Sequence, residues 1–181
     1  MNKFSLLTIV SVLTLVLVCG CGEKKVPYIH DTGFVFGTAY SLKYQSTESQ
    51  HNNVRAALDE YDKSLSTYND SSIISKINRN EPHTVDSFFV TVWNKAKEMN
   101  ALSDGAFDVT VRGLSSHWRF AKEYTLDTIS VAIYDSLLHT AADVLKYTGM
   151  DKVSLDGECI VKDDPRIQID MCALAEGYGI D

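Results

Sequence analysis

Apolar residues recur at helical spacing through Phe88, Phe89, Val92, Trp93, Ala96 and Met99, behind the capping pair Asp86-Ser87. The pattern stops at Gly105, and Ala106-Phe107-Asp108-Val109-Thr110-Val111 then turns apolar and β-branched. This change of period constrains the fold more than any other feature. A helix packed by one face must hand the chain, through a residue free to take the left-handed conformation, directly to a new element. The run past Asp108 reads as a strand. Ala106 adds little bulk beside backbone amides able to face phosphate or ring oxygens, while Asp108 and Thr110, two residues apart, share one side of an extended segment. For Asp108 two readings stand: a ligand contact, and a carboxylate that only caps a turn or meets solvent.

The rest of the chain supplies a core large enough to support such a junction. Its 181 residues are 45% hydrophobic and 23% charged, the balance of one ordinary globular domain. Lys and Arg number 17 against 24 Asp and Glu, a formal net charge of -7, and the basic run is limited to Lys24-Lys25, which excludes nucleic acid as a partner. At the start, Lys3 precedes a short apolar block from Phe4 to Val18, closed by Val18-Cys19-Gly20-Cys21. The block is short for a membrane span and reads as a signal peptide over residues 1–20. Its ending resembles a bacterial lipobox, which implies cleavage before Cys21 and lipidation of that residue. The alternative is ordinary secretion with Cys21 free or paired. Residues 21–31 read as a tether and 32–181 as the folded domain.

With Cys19 removed and Cys21 acylated, Cys159 and Cys172 remain, either paired in an oxidising compartment or buried as free thiols. The five histidines are scattered, and no Cys/His spacing suggests zinc.

Further along, residues 34–44 read as a strand interrupted at Gly37. Val54, Ala57, Leu58, Tyr61 and Leu65 mark an amphipathic helix, and Asn69 or Asp70 caps a short one carrying Ile73, Ile74 and Ile77. Tyr68 lies on the loop between them, where an aromatic either packs on the surface or stacks on a ligand ring. A further helix spans about 135–147 and stops at Gly149. Asp156-Gly157 marks a hairpin within residues 153–161. Residues 167–170 read as a last strand, and 171–178 as a strand-to-helix turn. This irregular interleaving predicts an α+β fold.

The order of motifs is specific: Gly37-Thr38-Ala39-Tyr40; Leu65-Ser66-Thr67-Tyr68 followed by residues 71–78; residues 105–111 with Leu114 and Trp118; then Ile169-Asp170 with Ala173-Leu174-Ala175-Glu176-Gly177-Tyr178. From about Phe34 to the last residue the chain resembles the FAD:protein FMN transferase family, also called ApbE. The resemblance implies an ApbE-like α+β fold and an exported, lipid-anchored protein of the cell envelope, on the periplasmic face in a Gram-negative cell. It implies magnesium-dependent transfer of FMN from FAD to a threonine or serine hydroxyl of an exported acceptor protein. Alternatives on the same framework are an FAD diphosphatase, with water as acceptor, and a lipid-anchored flavin-binding protein without transfer activity.

Carried over residue by residue, the resemblance puts Phe36 where a ligand-contacting Met is usual and Tyr68 at an aromatic ligand contact. Ala106, Phe107 and Asp108 fall on the segment lining the FAD site. Asp170 falls on a further ligand contact, Ala173 on a metal-contacting position, and Glu176 on a ligand contact that is usually Lys. The last change puts an anion near a polyanionic ligand. The family's Asp-Pro-x-Thr-Gly-type segment, which holds the remaining metal ligands and the base, is not in these residues. The chain is therefore expected to be the N-terminal portion of a longer protein, incomplete at its C-terminus and inactive alone, with its catalytic residues in the missing half.

Overall fold

The computed structural model describes residues 25–117 and 131–180, so residues 1–20, Cys21 and Trp118 lie outside the described residues. Along the chain run β1 (Tyr28–Val35), β2 (Thr38–Gln45), α1 (His51–Leu65), α2 (Ile73–Asn78), α3 (Ser87–Leu102), α4 (Arg112–His117), α5 (Val131–Leu145), a 3₁₀ turn (Met150–Lys152), β3 (Val153–Asp156), β4 (Cys159–Lys162) and α6 (Cys172–Ile180). This is the expected α+β mixture. β1 begins at Tyr28, inside the span read as a tether. Among the described residues no helix is long and apolar enough to cross a membrane.

The described residues fall into two compact units. The smaller takes in 25–31 and 42–49. There Ser46 N–H donates to the Pro27 carbonyl at 3.2 Å, the Tyr44 hydroxyl to Asp31 at 3.4 Å, and the Lys43 ammonium lies 4.9 Å from the centre of the Tyr28 ring.

The larger unit, 32–41 with 50–180, holds the main core and every expected ligand contact. α1 packs on α2, α3 and α6. Leu65, Ile74, Ile77, Phe89, Val92, Trp93 and Ala96 are essentially solvent-free, joined by Ile167, Ile169 and Met171 from the segment before α6. Each fully buried Leu, Ile or Phe contributes about 1.5–3 kcal/mol through lost apolar exposure. α3 starts where its sequence says: the Asp86 carboxylate accepts from Phe89 N–H at 2.8 Å, and also from the Ser64 hydroxyl of α1 at 2.7 Å. Ser72, not Asn69 or Asp70, caps α2; its hydroxyl accepts from Ser75 N–H and donates to the Ser66 carbonyl. Asn69 instead receives Ser71 in a local turn and donates to Asp62.

Two expected strands are not strands. After α3 ends at Leu102, the chain turns through Asp104 (φ 50°) and Gly105 (φ 83°), with Gly105 N–H returned to the Asn100 carbonyl. Residues 109–110 then form a turn, because the Asp108 carboxylate captures both the N–H and the hydroxyl of Thr110 at 2.7 and 2.6 Å. This local bond competes with extended backbone. Only Val111 makes a ladder contact, a single parallel bridge to Gln168. Residues 167–170 stay outside a sheet because the Asn78 side chain takes the place of a neighbouring strand, accepting from Ile169 N–H at 2.7 Å and donating to its carbonyl at 2.9 Å.

The hairpins are sharper than the sequence suggested. The span read as one interrupted strand is β1 and β2 joined by Phe36-Gly37, both at positive φ, the pattern of a type I′ turn. In the second hairpin Asp156 pairs with Cys159, so the two turn residues are Gly157, at φ 59°, and Glu158. The Asp of the Asp-Gly pair thus closes the strand instead of entering the turn. Its tip is fastened from outside: Val85 N–H donates to the Glu158 carbonyl, and His83 accepts from Ile160 N–H at 3.0 Å. Cys159 and Cys172 are both free thiols.

Candidate functional site

Four separate stretches of the larger unit form a chain of contacts leading to the start of α6. The first is the Phe36-Gly37 turn. Phe36 is half-buried at φ 55°, an unusual conformation for a bulky residue. It is held there by an edge-on contact with Tyr61, centroids 5.3 Å apart, and a long hydrogen bond from its N–H to Asp62. Gly37 lies under the Tyr68 ring, where an added Cβ would sit 3.0 to 3.2 Å from ring atoms. Any larger residue would push the ring away.

The second stretch is the loop bearing Tyr68, which is 73% exposed. Together the two form a cleft of about 250 Å³ lined also by Arg55, Asp59, Asp62 and Asn69. An exposed ring over a glycine turn is a surface on which a planar ligand can stack.

Thr67, next to Tyr68, has its hydroxyl 3.7 Å from the Cys172 sulfur, which leads to the third stretch, residues 170–176. Asp170 caps α6: one carboxylate oxygen accepts from Cys172 N–H at 3.0 Å and the other faces the Arg112 guanidinium at 3.3 Å. Burial, then the neighbouring Asp170, pushes the Cys172 thiol up to about 11, so it stays protonated at neutral pH. Ala173 and Glu176 are exposed, three residues apart on α6 and hence on one face of it. Behind them the Tyr61 hydroxyl donates to the Ala175 carbonyl at 2.7 Å; burial raises the pKa of that phenol, keeping it a donor.

The fourth stretch is 106–112. Asp170 N–H donates to the Val109 carbonyl at 2.7 Å, placing this segment directly beside the third. Ala106 is exposed and Phe107 half-buried, its carbonyl accepting from Asn100 at 2.6 Å. Asp108 is more occupied than the sequence suggested. Beyond its two bonds to Thr110, its second oxygen accepts from Met150 N–H at 3.2 Å, and the Thr110 hydroxyl accepts from Gly149 N–H at 2.7 Å. Its carboxylate therefore locks the junction to the 3₁₀ turn.

The structure thus gathers Phe36 with Tyr68, and Asp108 with Asp170 and the face of α6 carrying Ala173 and Glu176. The sequence reading passed over Arg112, the residue immediately after the segment it singled out. Thr67 and Asp62 were also missed, because their partners come from elsewhere in the chain.

A magnesium ion is poorly served by these residues. Among the described residues no three His, Cys, Asp or Glu side chains cluster as a metal site. Asp108 and Asp170 are both occupied internally, and Ala173 lies inside α6, where a carbonyl is directed down the helix toward the residue four further on. This donor set does not fit a magnesium site on its own.

The fold is that of the ApbE-like flavin transferases. The chain superposes on the flavin transferase ApbE of Vibrio cholerae with a TM-score of 0.72 at 29% identity, covering 86% of this chain and 51% of that one. The apo flavinyl transferase ApbE of Pseudomonas stutzeri gives 0.66 at 27% identity, over 86% and 51%. The chain belongs to the ApbE family, whose model matches residues 36–181. Among curated relatives, the FAD:protein FMN transferase of Vibrio cholerae is 30% identical over 96% of this chain and 52% of its own length. That of Haemophilus influenzae is 26% identical over the same shares. The chain spans about half the length of the curated relatives it matches.

Proposed function

We propose that the whole protein transfers FMN from FAD to a threonine or serine hydroxyl of an exported acceptor protein, in a magnesium-dependent reaction, and that it works from a lipid anchor at Cys21. The observation that carries this reading is the convergence of the Tyr68 loop, Asp170 with the first turn of α6, and the segment after Gly105, which are far apart in the chain and hold the positions (Tyr68, Asp170, and 106–108) that the resemblance assigns to ligand contacts. In this chemistry the acceptor oxygen bonds to the FMN-side phosphorus, the bond from that phosphorus to the bridging oxygen breaks, and AMP leaves with the bridge. The hydroxyl proton passes to a base that the resemblance puts in the relatives' C-terminal segment. This chain's part is binding and orientation: a ring platform at Tyr68 for a planar group, and a rigid polar floor made by Asp170, Arg112 and the Asp108-Thr110 turn.

One observation favours a second reading, flavin binding without transfer: exposed Glu176 puts a negative charge on the same face of α6 as Ala173. Incubating the whole protein with FAD, magnesium and an exported protein carrying candidate Thr and Ser sites separates the readings. An FMN-sized mass increment on the acceptor, abolished by chelating the metal, is expected. FMN and AMP released with no increment indicates a diphosphatase, and bound but intact FAD indicates a binding protein.

A further inference from the structure

We infer that Arg112, the first residue of α4, is the cation with which this chain meets the phosphate groups of a flavin nucleotide, beside an α6 face that presents the anionic Glu176. This rests on the functional reading above and assigns a residue within that site. A dinucleotide brings its own negative charge to a floor already carrying Asp108, Asp170 and Glu176. Across the segments that converge there (33–37, 66–71, 105–112 and 167–180) Arg112 is the one Lys or Arg in the sequence.

Nearby cations are spent elsewhere. Arg55 pairs with Asp59 at 2.9 Å and donates to the Phe34 carbonyl at 2.6 Å, and Lys162 donates to the Ile77 and Ile167 carbonyls, both at 2.9 Å. Arg112 is held loosely by comparison. Among the described residues its guanidinium donates one hydrogen bond, to Asp170 at 3.3 Å, longer than the 2.7–2.9 Å usual for a charge-assisted pair. Its side chain keeps 27% of its exposure. A guanidinium carries five N–H donors in a planar fork suited to a two-pronged phosphate contact, and the bond to Asp170 engages one of its nitrogens. Its charge also reaches the first turn of α6, where it favours the thiolate form of Cys172 against the stronger opposing effects of burial and Asp170.

A purely architectural role explains less. The 109–111 segment is already tied to 168–170 by the Asp170 N–H to Val109 carbonyl bond at 2.7 Å and by the Val111 to Gln168 bridge. In a pair this far buried, desolvation of the two charges offsets much of their attraction, so it adds little to such a junction.

The experiment measures dissociation constants of FAD and of riboflavin, which has no phosphate, for the whole protein and its R112Q, E176K and R112Q/E176K variants, with thermal unfolding as the folding check. R112Q is expected to weaken FAD at least about tenfold and riboflavin by less than about twofold. E176K is expected to recover most of the lost FAD affinity in the R112Q background. Equal losses for both ligands, an unchanged FAD constant in R112Q, or no recovery in the double variant would overturn the inference. Failure of the unaltered protein to bind FAD would overturn the functional reading as well.

Discussion

Asp108 and Tyr68 mark the two ways a residue can matter at this site. Asp108 accepts bonds from the N–H and hydroxyl of Thr110 and from Met150 N–H, so Asp108→Ala strands donors on both sides of the junction. We expect a loss of roughly 2 kcal/mol or more of stability in urea unfolding, accompanied under the proposed function by roughly tenfold weaker FAD binding. Lowered stability with unchanged affinity would return Asp108 to a structural role. Tyr68 is the opposite case: 73% exposed over Gly37, with no hydrogen bond from its hydroxyl among the described residues. Tyr68→Ala should stay within about 0.5 kcal/mol of the parent in the same unfolding measurement while weakening FAD, and Tyr68→Phe should bind nearly as well as the parent. The exposure of Tyr68 was legible because an aromatic on a turn-rich loop has few buried partners available. The occupation of Asp108 was not, because Gly149 and Met150 lie some forty residues further on.

Among elements, the helices were written most plainly. α1 and α3 lie where apolar spacing puts them, and α3 also starts at its capping Asp86, since both signals act within a turn or two of chain. Asp86 adds a tertiary bond to its cap by accepting from Ser64, so Asp86→Ala should cost about 1–2 kcal/mol, and Asp86→Asn distinctly less, in chemical denaturation. Equal losses for the two would mean that charge, not hydrogen-bond geometry, carries the effect. Strands were harder to read. Residues 109–111 have strand composition, yet the Asp108 side chain wins the Thr110 N–H. Residues 167–170 look like a strand and bond to Asn78, a side chain at the end of α2. Strand formation depends on which partner is alongside, and periodicity within one segment does not name that partner.

At the scale of the whole molecule, the anchor proposed at Cys21 lies outside the described residues and is tested in cells. Cys21→Ser should move the mature protein from the membrane fraction to the soluble exported fraction, because a multiply acylated cysteine binds bilayers stably and an unmodified chain does not. Retention on membranes after that change would defeat the lipobox reading. The sequence by itself determined the α+β mixture, the family and the start of α3. These rest on local chemistry: apolar spacing, capping side chains, glycines at positive φ. Only the tertiary structure decided that Asp108 is bound up in a junction, that Asn78 stands in for a strand, and that Arg112 lies against Asp170 at the mouth of α6. Each joins residues remote in sequence, and the burial of Ile167, Ile169 and Met171 beneath α1, α2 and α3, not any local pattern, brings them together.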